Sequence, residues 1–496
     1  MNVEVTAAEP AEVEADVLVL PAGGVHVRQL DGLFDGRLAR AAADGDSMAV
    51  LPVTRELRAR RVAVVALDES DPEGLRTAAA RAVRVRRGAG TVAWALDDWV
   101  PMALPRQVQA VVEGAVLGGY DAGRWKSDAA TRGVDRFVVC AADEKEHRDI
   151  AMRAELIARW TNVARELVDG PPNIITPASL AARAARLPSL GVEVLDPVAA
   201  RLPALAAVGG ASAQPPQLIV LRHGHPQAPQ RPALALVGKA VTFDAGGYFL
   251  KPQSDIVRQK GDMAGGAAVL AALGAIAELE LPLTTIGVVA ACENMIGPDA
   301  IRPSDVIATA AGLTVEVTNP DAEGRLILAD ALWYARGQGA THVIDLATLT
   351  GAMRAGMGDL FAGVFGNDDN WRDAIVDAGT AVGDLTWPWP MHPRYHRLLE
   401  SRVADVRNTS GRPYGYPITA AAFLERFAGE GPWAHVDILG PALLDDDRGD
   451  AFGAGASGYG VRLLVEVASR MAAAVRRGTK AERSLEAFVR QQSDDD

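Results

Sequence analysis

The chain has 496 residues, of which 49% are hydrophobic, and its formal net charge is −13. This length exceeds one small domain and predicts two or more hydrophobic cores. The negative charge repels phosphate backbones, so nucleic acid is not expected as a partner. The acidic N-terminus is unlike a signal peptide, and no apolar run approaches about 18 residues, so we expect a cytoplasmic protein without membrane contact.

Cysteine and lysine are both scarce in this chain. Cys140 and Cys292 lie in or beside apolar strand-like runs, and we interpret them as small buried side chains rather than zinc ligands or a disulfide framework. The 50 basic residues include only six lysines, yet Lys239, Lys251 and Lys260 fall within 22 residues. An amine can lose its proton near neutral pH, whereas a guanidinium cannot, so this cluster indicates lysine chemistry.

The first 140 residues alternate short apolar runs with helical segments rich in Ala, Arg and Leu. The predicted strands are Val17 to Leu20, Val62 to Leu67, Thr91 to Ala95 and Phe137 to Cys140. This alternation predicts a smaller N-terminal α/β domain over residues 1–144. A helical pattern follows and stops at a Gly-Pro-Pro-Asn sequence, which predicts a linker helix over residues 145–170.

Residues 171–496 alternate strands and helices again and form the larger, catalytic domain of the prediction. The predicted elements are strands Leu234 to Val237, Thr284 to Ala291 and His342 to Leu346, and helices Met263 to Glu278 and Gly324 to Arg336. Single helices between strands predict a largely parallel central sheet flanked by helices. Reactive groups gather where such strands end, so we expect them in the loops after Val237, before the Ala-rich helix and after Val317.

Two segments of this domain concentrate titratable side chains around glycines. The first places Lys239, Asp244 and Lys251 about a Gly-Gly turn, where backbone can come close to a ligand. The second places Asp262 at the predicted N-terminus of the Ala-rich helix. A helix N-cap explains Asp262 equally well when it is considered alone.

A third segment has Asp321 and Glu323, followed by Arg325 as a helix begins. In an extended segment this spacing puts both carboxylates on one side, whereas a capping box explains only one of them. Four carboxylates in one crevice repel one another by several kcal/mol unless cations neutralise them. Oxygen ligands without His or Cys suit Mg, Mn or Zn, and four carboxylates can hold two ions about 3.5 to 4 Å apart.

The segments VGKAVTFDAGGYFLKP, QKGDMAGGAAV and NPDAEGRL resemble, in order and spacing, the active-site motifs of the leucyl aminopeptidase (cytosol aminopeptidase) family. The resemblance continues through NVARELVDGPPNIITPASLA, ENMIGPDAIRPSDVI, DLATLTGA, HVDILGP and GASGYGVRLL. It implies a homohexameric hydrolase that removes N-terminal residues from short peptides or dipeptides. It also implies two divalent metal ions per subunit, with Mn or Zn expected first and Co or Mg next.

The resemblance assigns roles to single residues. It implies that Asp244 and Glu323 bridge the metals, with Lys239 and Asp262 completing one site and Asp321 the other. Lys239 would bind as the neutral amine, which a nearby dication favours. Lys251 would polarise the scissile carbonyl. Arg325 would hold a bicarbonate that acts as general base toward the water that bridges the metals.

Some positions depart from the family pattern. Pro320 stands where Thr is usual, and because Pro lacks an N–H and restricts the preceding residue, it could shift Asp321 and weaken that metal site. Gln259 and Leu439 replace the usual Met and Ala in a candidate substrate pocket that also includes Thr348. The two changes predict a pocket narrower and more polar than one built for Leu, and neutral drift is an equal alternative.

Two other functions stay open at this point. A dedicated dipeptidase, for example for Cys-Gly type substrates, would share the mechanism and differ in its substrate. A catalytically idle scaffold or DNA-associated regulator is opposed by the acidic charge and by the complete set of candidate metal and catalytic residues. The absence of a G-x-S-x-G sequence leaves a serine hydrolase unsupported. The residues do not identify the metals or the preferred N-terminal residue.

Overall fold

The computed structural model describes residues 1–44, 47–53, 56–84, 90–127, 133–141, 144–228 and 233–476. The chain divides into two compact units, one of residues 1–162 with 445–455, and one of residues 163–444 with the segment from 456 onward. The domain boundaries inferred at 144/145 and 170/171 stay a prediction. The sequence from about Met471 onward predicts one surface helix and an acidic terminus, and the part beyond Arg476 lies outside the described residues.

The first unit is built around a six-stranded sheet. Its neighbouring strands run parallel except at one edge, where β3 is antiparallel to β4, and the strand order is β1-β6-β5-β2-β4-β3. The described helices and strands of this part are β1 (Asn2–Thr6), β2 (Val17–Pro21), α1 (Val25–Leu30), α2 (Arg37–Ala43), β3 (Met48–Pro52), β4 (Arg61–Val65), α3 (Pro72–Arg84), β5 (Thr91–Ala95), α4 (Leu104–Gly118) and β6 (Arg136–Cys140). The four strands predicted here correspond to β2, β4, β5 and β6.

The division between the units falls within a long helix, α5 (Glu144–Asp169). From there the described chain continues with α6 (Pro177–Ala184), β7 (Gly191–Leu195), α7 (Pro203–Gly209), β8 (Gln217–His223), β9 (Leu234–Asp244), α8 (Gln253–Ile256), α9 (Ala264–Glu278), β10 (Thr285–Asn294), β11 (Val306–Ala308), β12 (Thr314–Glu316), α10 (Gly324–Gly337), β13 (His342–Ala347), α11 (Gly351–Met357), β14 (Ala362–Gly366), α12 (Asp369–Val382), β15 (Thr386–Pro388), β16 (Val406–Arg407), α13 (Tyr416–Glu425), β17 (Trp433–Asp437), β18 (Leu443–Leu444), β19 (Gly455–Ala456) and α14 (Val461–Arg476).

The second unit is organised by an eight-stranded sheet of order β15-β14-β17-β13-β9-β10-β8-β7. Its four central strands, β17, β13, β9 and β10, run parallel, while β8 and β7 on one side and β14 on the other join through antiparallel pairs. The predicted two-domain α/β class is confirmed. Because the central strands are parallel, their carboxyl ends meet at one edge, where a crevice can form.

Helices cover both faces of the central strand β9. Side chains on a strand alternate between faces, and Val237 and Val241 belong to the core that Leu326 and Leu332 of α10 share. On the other face, α9 comes so close that a Cβ on its Gly266 would lie 2.6 Å from the Ala240 Cβ. The two helices therefore fix both sides of the strand that carries the first candidate residues.

Strand β9 is longer than predicted. It pairs with β10 as far as Asp244 opposite Asn294, with a register irregularity between Cys292 and Glu293. Lys239 and Asp244 therefore lie on the strand, and their expected position in a loop after Val237 was wrong. Their polar side chains interrupt the apolar pattern and so ended the predicted strand early, although the backbone pairing continues past them.

The expectation that no apolar run approaches about 18 residues was wrong, since the segment Gln259–Glu278 is long and apolar enough to cross a membrane by composition. However, 94% of its apolar window is buried inside the protein. Helix α9 within this segment packs on β9, β10 and β13. Its apolar character is that of a core helix. Cys140 and Cys292 are free and buried, as predicted, and burial raises the pKa of the Cys140 thiol to about 12.

Candidate metal centre

Most of the predicted site residues converge at the carboxyl edge of the central strands. Lys239 and Asp244 come from β9, whereas Asp262 follows a short 3-10 turn before α9. One cavity of about 450 Å³ is lined by nine of the ten predicted residues, Lys239, Asp244, Lys251, Gln259, Asp262, Asp321, Glu323, Thr348 and Leu439. Arg325 is the predicted residue that does not line this cavity.

Lys239 is the cation of one buried ion cluster. Its Nζ lies 2.8 Å from Asp262 Oδ1 and 2.9 Å from Glu323 Oε1, and it donates to the Thr348 carbonyl oxygen at 3.0 Å. The Thr348 hydroxyl donates to the same Asp262 oxygen at 2.8 Å. Burial opposes the charge on Lys239, but Asp262 and Glu323 outweigh it and raise the pKa of the amine above its usual value. In the absence of metal, this amine is therefore an ammonium.

Lys251 is the cation of the other half of the site. Its Nζ lies 2.8 Å from Asp244 Oδ2 and also pairs with Asp321. Burial opposes this charge as well, but the carboxylates, led by Asp244, raise the pKa of Lys251 above its usual value. Burial raises the pKa of Asp321 to about 7, and repulsion from Asp244 and Glu323 adds to the shift. The two lysines therefore leave the acidic cluster incompletely neutralised.

The donor set fits divalent metal ions. Oxygen atoms of Asp244, Asp262 and Glu323 lie within 4.8 Å of one another. Asp262 Oδ2 and Glu323 Oε2 are buried, and they have no hydrogen-bond partner among the residues that the structure describes. Buried acceptors are nearly always satisfied in folded proteins, and carboxylate oxygens are preferred ligands of Mg, Mn and related ions. Metal ions would supply the missing partners.

Neither helix cap explains the acidic residues. The N-cap of α9 is Met263, not Asp262, and it makes no side-chain capping bond. Glu323 does occupy the N-cap of α10, but its side chain makes no capping bond either. The carboxylates of both acids are therefore directed to Lys239 rather than to helix N–H groups.

Asn294, at the end of β10, orients Asp244. Its Nδ2 donates to Asp244 Oδ1 at 2.8 Å and to the Pro320 carbonyl oxygen at 3.2 Å, so it joins two of the acidic segments. The Gly246 N–H donates to the same Asp244 oxygen at 2.8 Å. Gly246 has a φ of 87°, and a Cβ there would lie 2.4 Å from the Phe249 carbonyl oxygen, so this position requires glycine.

Pro320 lies in a tight turn that suits it. The Ala322 N–H donates to the Asn319 carbonyl oxygen at 3.1 Å, which puts Pro320 at the second position of the turn. Pro is favoured there because its fixed φ matches the turn and no N–H is needed. The backbone here is not extended, since this turn precedes Glu323, whose backbone is helical, so the alternation of an extended segment does not apply to these two carboxylates. The carboxylates of Asp321 and Glu323 nevertheless line the same cavity.

Arg325 is buried in the first turn of α10. Its Nη1 donates to the Asn408 carbonyl oxygen at 2.7 Å, and its guanidinium lies over the Tyr416 ring, 5.0 Å from the centroid. Its Nε is buried and has no hydrogen-bond partner within the described chain. Asn408 also holds the turn that contains Pro320. Its Nδ2 donates to the Asn319 carbonyl oxygen at 2.7 Å, and its Oδ1 accepts the Thr318 N–H at 2.8 Å.

Sequence reasoning missed Asn294, Asn408 and Tyr416. Asn294 lies inside ENMIGPDAIRPSDVI, one of the segments that resemble the family, and only this position in the sequence could have indicated it. Asn408 acts on a turn 89 residues away in the chain, and no local pattern marks such a contact. These side chains hold the site without contributing to the charge pattern from which it was inferred.

A buried carboxylate cluster that could hold metal ions, at the carboxyl edge of a largely parallel α/β sheet, is typical of a metal-dependent enzyme. Residues 162–465 match the family model described as the cytosol aminopeptidase family, catalytic domain. A probable cytosol aminopeptidase of Solibacter usitatus is 38% identical over 472 residues, which cover 92% of this chain and 97% of the relative. The corresponding protein of Roseiflexus castenholzii is 39% identical over 489 residues, covering 94% and 98% of the two chains.

Solved structures agree with these relatives. A mutant of tomato leucine aminopeptidase has a TM-score of 0.85 at 31% identity, covering 95% of this chain and 96% of its own. The bottromycin maturation enzyme BotP in complex with Mn has a TM-score of 0.82 at 33% identity, covering 92% and 100%. The chain belongs to the cytosol aminopeptidase family, as the motifs predicted, and it is a metal-dependent exopeptidase.

Proposed function

We propose that this enzyme removes the N-terminal residue from short peptides or dipeptides at a centre of two divalent metal ions. The observation that carries the proposal is the buried acidic cluster around Lys239, in which Asp262 and Glu323 each keep a carboxylate oxygen without a hydrogen-bond partner among the described residues. The proposed ligands are Lys239, Asp244, Asp262, Asp321 and Glu323. Mn and Zn are the first candidates, and the Mn complex of BotP supports Mn.

When bound, the two metals would lower the pKa of a water molecule and stabilise the negative oxygen that develops on the scissile carbonyl. Lys239 has to lose its proton to act as a ligand, and it does so more readily beside a dication. The neutral amine keeps two hydrogens, so its bond to the Thr348 carbonyl oxygen can persist. Arg at this position could not deprotonate.

Lys251 is proposed to polarise the scissile carbonyl. Its Nζ faces the cavity between Asp244 and Asp321, and the raised pKa keeps it protonated at neutral pH, as a hydrogen-bond donor requires. Arg325 is proposed to hold a bicarbonate that serves as general base. Its buried Nε has no hydrogen-bond partner in the described part of the chain, which supports an anion there, and the contacts with Asn408 and Tyr416 fix the plane of the guanidinium.

Gln259, Thr348 and Leu439 are proposed to shape the pocket for the N-terminal side chain. All three line the cavity of the acidic residues. The Gln259 amide donates to the Asp255 carbonyl oxygen at 3.1 Å, which leaves its oxygen as a polar group at the wall. We therefore propose a pocket that is narrower and more polar than one built for Leu.

Metal-reconstituted turnover of aminoacyl-p-nitroanilides and dipeptides tests the proposal. We expect release of the N-terminal residue with Mn or Zn and its loss on chelation. Leu, Met, Cys and Gly at the N-terminus test the pocket, and a plain preference for Leu would refute the narrower, more polar pocket. Cleavage restricted to dipeptides such as Cys-Gly would establish the dipeptidase alternative. A protein that binds Mn but releases no residue with any metal would contradict the function.

Gly324 provides a separate test of Lys239 as a ligand. A Cβ at Gly324 would lie 2.6 Å from both Cε and Nζ of Lys239. Gly→Ala within a helix normally stabilises by about 1 kcal/mol, but here the methyl group would displace the amine. We expect Gly324→Ala to weaken Mn binding about tenfold or more in titration calorimetry. Gly337→Ala, at the other end of the same helix, is the matched control, since a Cβ there meets no atom of the described residues within 4 Å. Equal Mn affinity of the two variants would argue against Lys239 as a ligand.

The proposal includes homohexameric assembly and a cytoplasmic location, both of which follow from the family. Tyr248, Phe249 and Leu250 are consecutive exposed apolar residues, two of which line the cavity, and assembly would cover such a surface. Sedimentation equilibrium measures the oligomeric state, and a monomeric mass at micromolar concentration would contradict the hexamer.

A further inference from the structure

Asp437, the last residue of β17, is fully buried and holds two loops that leave the sheet side by side. Its Oδ1 accepts the N–H groups of Leu349 and Leu439, each at 3.2 Å. Its Oδ2 accepts the Thr350 hydroxyl at 2.6 Å. The loops are adjacent because β13 and β17 are parallel neighbours, with Ala347 opposite Asp437.

Both loops contribute to the candidate active site. Leu349 and Leu439 line the same cavity as the acidic residues. Thr348, next to Leu349, accepts from Lys239 through its carbonyl oxygen and donates to Asp262 through its hydroxyl. One carboxylate therefore sets the spacing between two apolar parts of the cavity wall and connects that wall to the proposed metal ligands.

We propose that Asp437 is a positioning residue that sets the selectivity for the N-terminal side chain of the substrate, an inference that rests on the proposed function. Asp437 does not line the cavity itself, so it acts through the two leucines that it holds. Discrimination in an apolar pocket depends on the placement of its walls, and displacements of about 1 Å change rates by about a hundredfold. A carboxylate that fixes two walls at once controls this placement.

Asp437→Ala removes the acceptor of two N–H groups and one hydroxyl, so both loops can relax. Asp437→Asn is the conservative variant, because its amide oxygen can accept the two N–H groups and its NH2 can donate to the Thr350 hydroxyl, which also has acceptor capacity. Thr350→Val removes one of the three contacts and leaves the carboxylate in place. The variants therefore differ in how many of the three contacts they remove: all three in Asp437→Ala, one in Thr350→Val and none in Asp437→Asn.

The measurement is kcat and KM for Mn-loaded enzyme on p-nitroanilides of Leu, Met, Ala and Gly. We expect Asp437→Ala to reduce the ratio of kcat/KM between the best and poorest substrates about tenfold, mainly through KM. Asp437→Asn should stay within about threefold of the wild-type ratio, and Thr350→Val should fall between the two. If Asp437→Ala does not fold, the ratio for Thr350→Val decides, and a wild-type ratio in that variant would overturn the inference.

Asp330 is the matched control for a purely structural role. It is also fully buried. Its carboxylate accepts the N–H groups of Ala204, Leu205 and Ala310 at 2.8, 3.1 and 2.8 Å, respectively. These three residues do not line the cavity that contains the acidic residues. Asp330→Ala should lower the unfolding temperature but leave the substrate ratios unchanged. Equal effects of the two Asp→Ala variants on these ratios would overturn the inference, whereas a wild-type protein without turnover would contradict the proposed function itself.

Discussion

Replacing Glu323 by Gln is expected to abolish metal-dependent turnover without destabilising the metal-free protein. Glu323 Oε1 pairs with Lys239, whereas Oε2 is buried and has no hydrogen-bond partner within the described ranges, so the charge of Glu323 adds to the repulsion within the cluster. Gln keeps the shape of the side chain and removes that charge, while Asp262 still pairs with Lys239. Loss of a proposed bridging ligand should lower kcat/KM by about a thousandfold or more.

Thermal unfolding with and without Mn separates the two effects. A ligand that binds only the folded state raises the unfolding temperature as its concentration increases. We expect this rise for the wild type and not for Glu323→Gln, whose metal-free unfolding temperature should equal or exceed that of the wild type. Glu316→Gln is the control, because Glu316 accepts the Ser401 hydroxyl at 2.6 Å and does not line the cavity. A Glu323→Gln variant that is still stabilised by Mn would remove Glu323 from the ligand set.

Replacing Lys251 by Met is expected to lower kcat by about a hundredfold to a thousandfold while Mn still binds. The loss corresponds to removal of one hydrogen-bond donor from the developing oxyanion. In the metal-free protein Lys251 neutralises Asp244 and Asp321, so its removal makes the cluster more negative. Mn affinity should therefore be unchanged or higher, in contrast to the weaker binding expected for Gly324→Ala.

Steady-state kinetics and titration calorimetry on the same preparation measure both quantities. Lys260→Met is the control, because Lys260 donates to the Asp169 carbonyl oxygen at 2.6 Å and does not line the cavity. Its kcat should equal that of the wild type. Loss of Mn binding in Lys251→Met would make Lys251 a ligand, and an unchanged kcat would refute its proposed action on the carbonyl.

Much of the site could be predicted from short stretches of sequence. Metal chemistry restricts the residue types that can serve at each position, so Asp321 and Glu323 within three residues of each other are informative without any structure. The same restriction makes Lys239 conspicuous in a chain whose cations are mostly arginines. Nine of the ten predicted residues line one cavity, although their roles in binding and catalysis stay a prediction.

The local conformations were harder to predict. Polar side chains at Lys239 and Asp244 interrupt an apolar pattern, but strand β9 continues through them because β10 supplies its hydrogen bonds. Asp321 lies in a turn rather than an extended segment, since Asn294 donates to the Pro320 carbonyl oxygen before it and Asn408 to the Ala322 carbonyl oxygen after it. In both cases a distant segment determines a conformation that the local pattern leaves open.

The sequence by itself determined the α/β class, the family and the types of side chain that we propose as metal ligands, because hydrophobic alternation and closely spaced charged residues are visible in short stretches of the chain. Only the tertiary structure decided how those side chains are held. Asn294, Asn408 and Asp437 act on segments 50, 89 and 88 residues away in the chain. A single polar residue that satisfies distant backbone groups produces no periodic pattern in the sequence, because the tertiary packing determines which groups lie next to it.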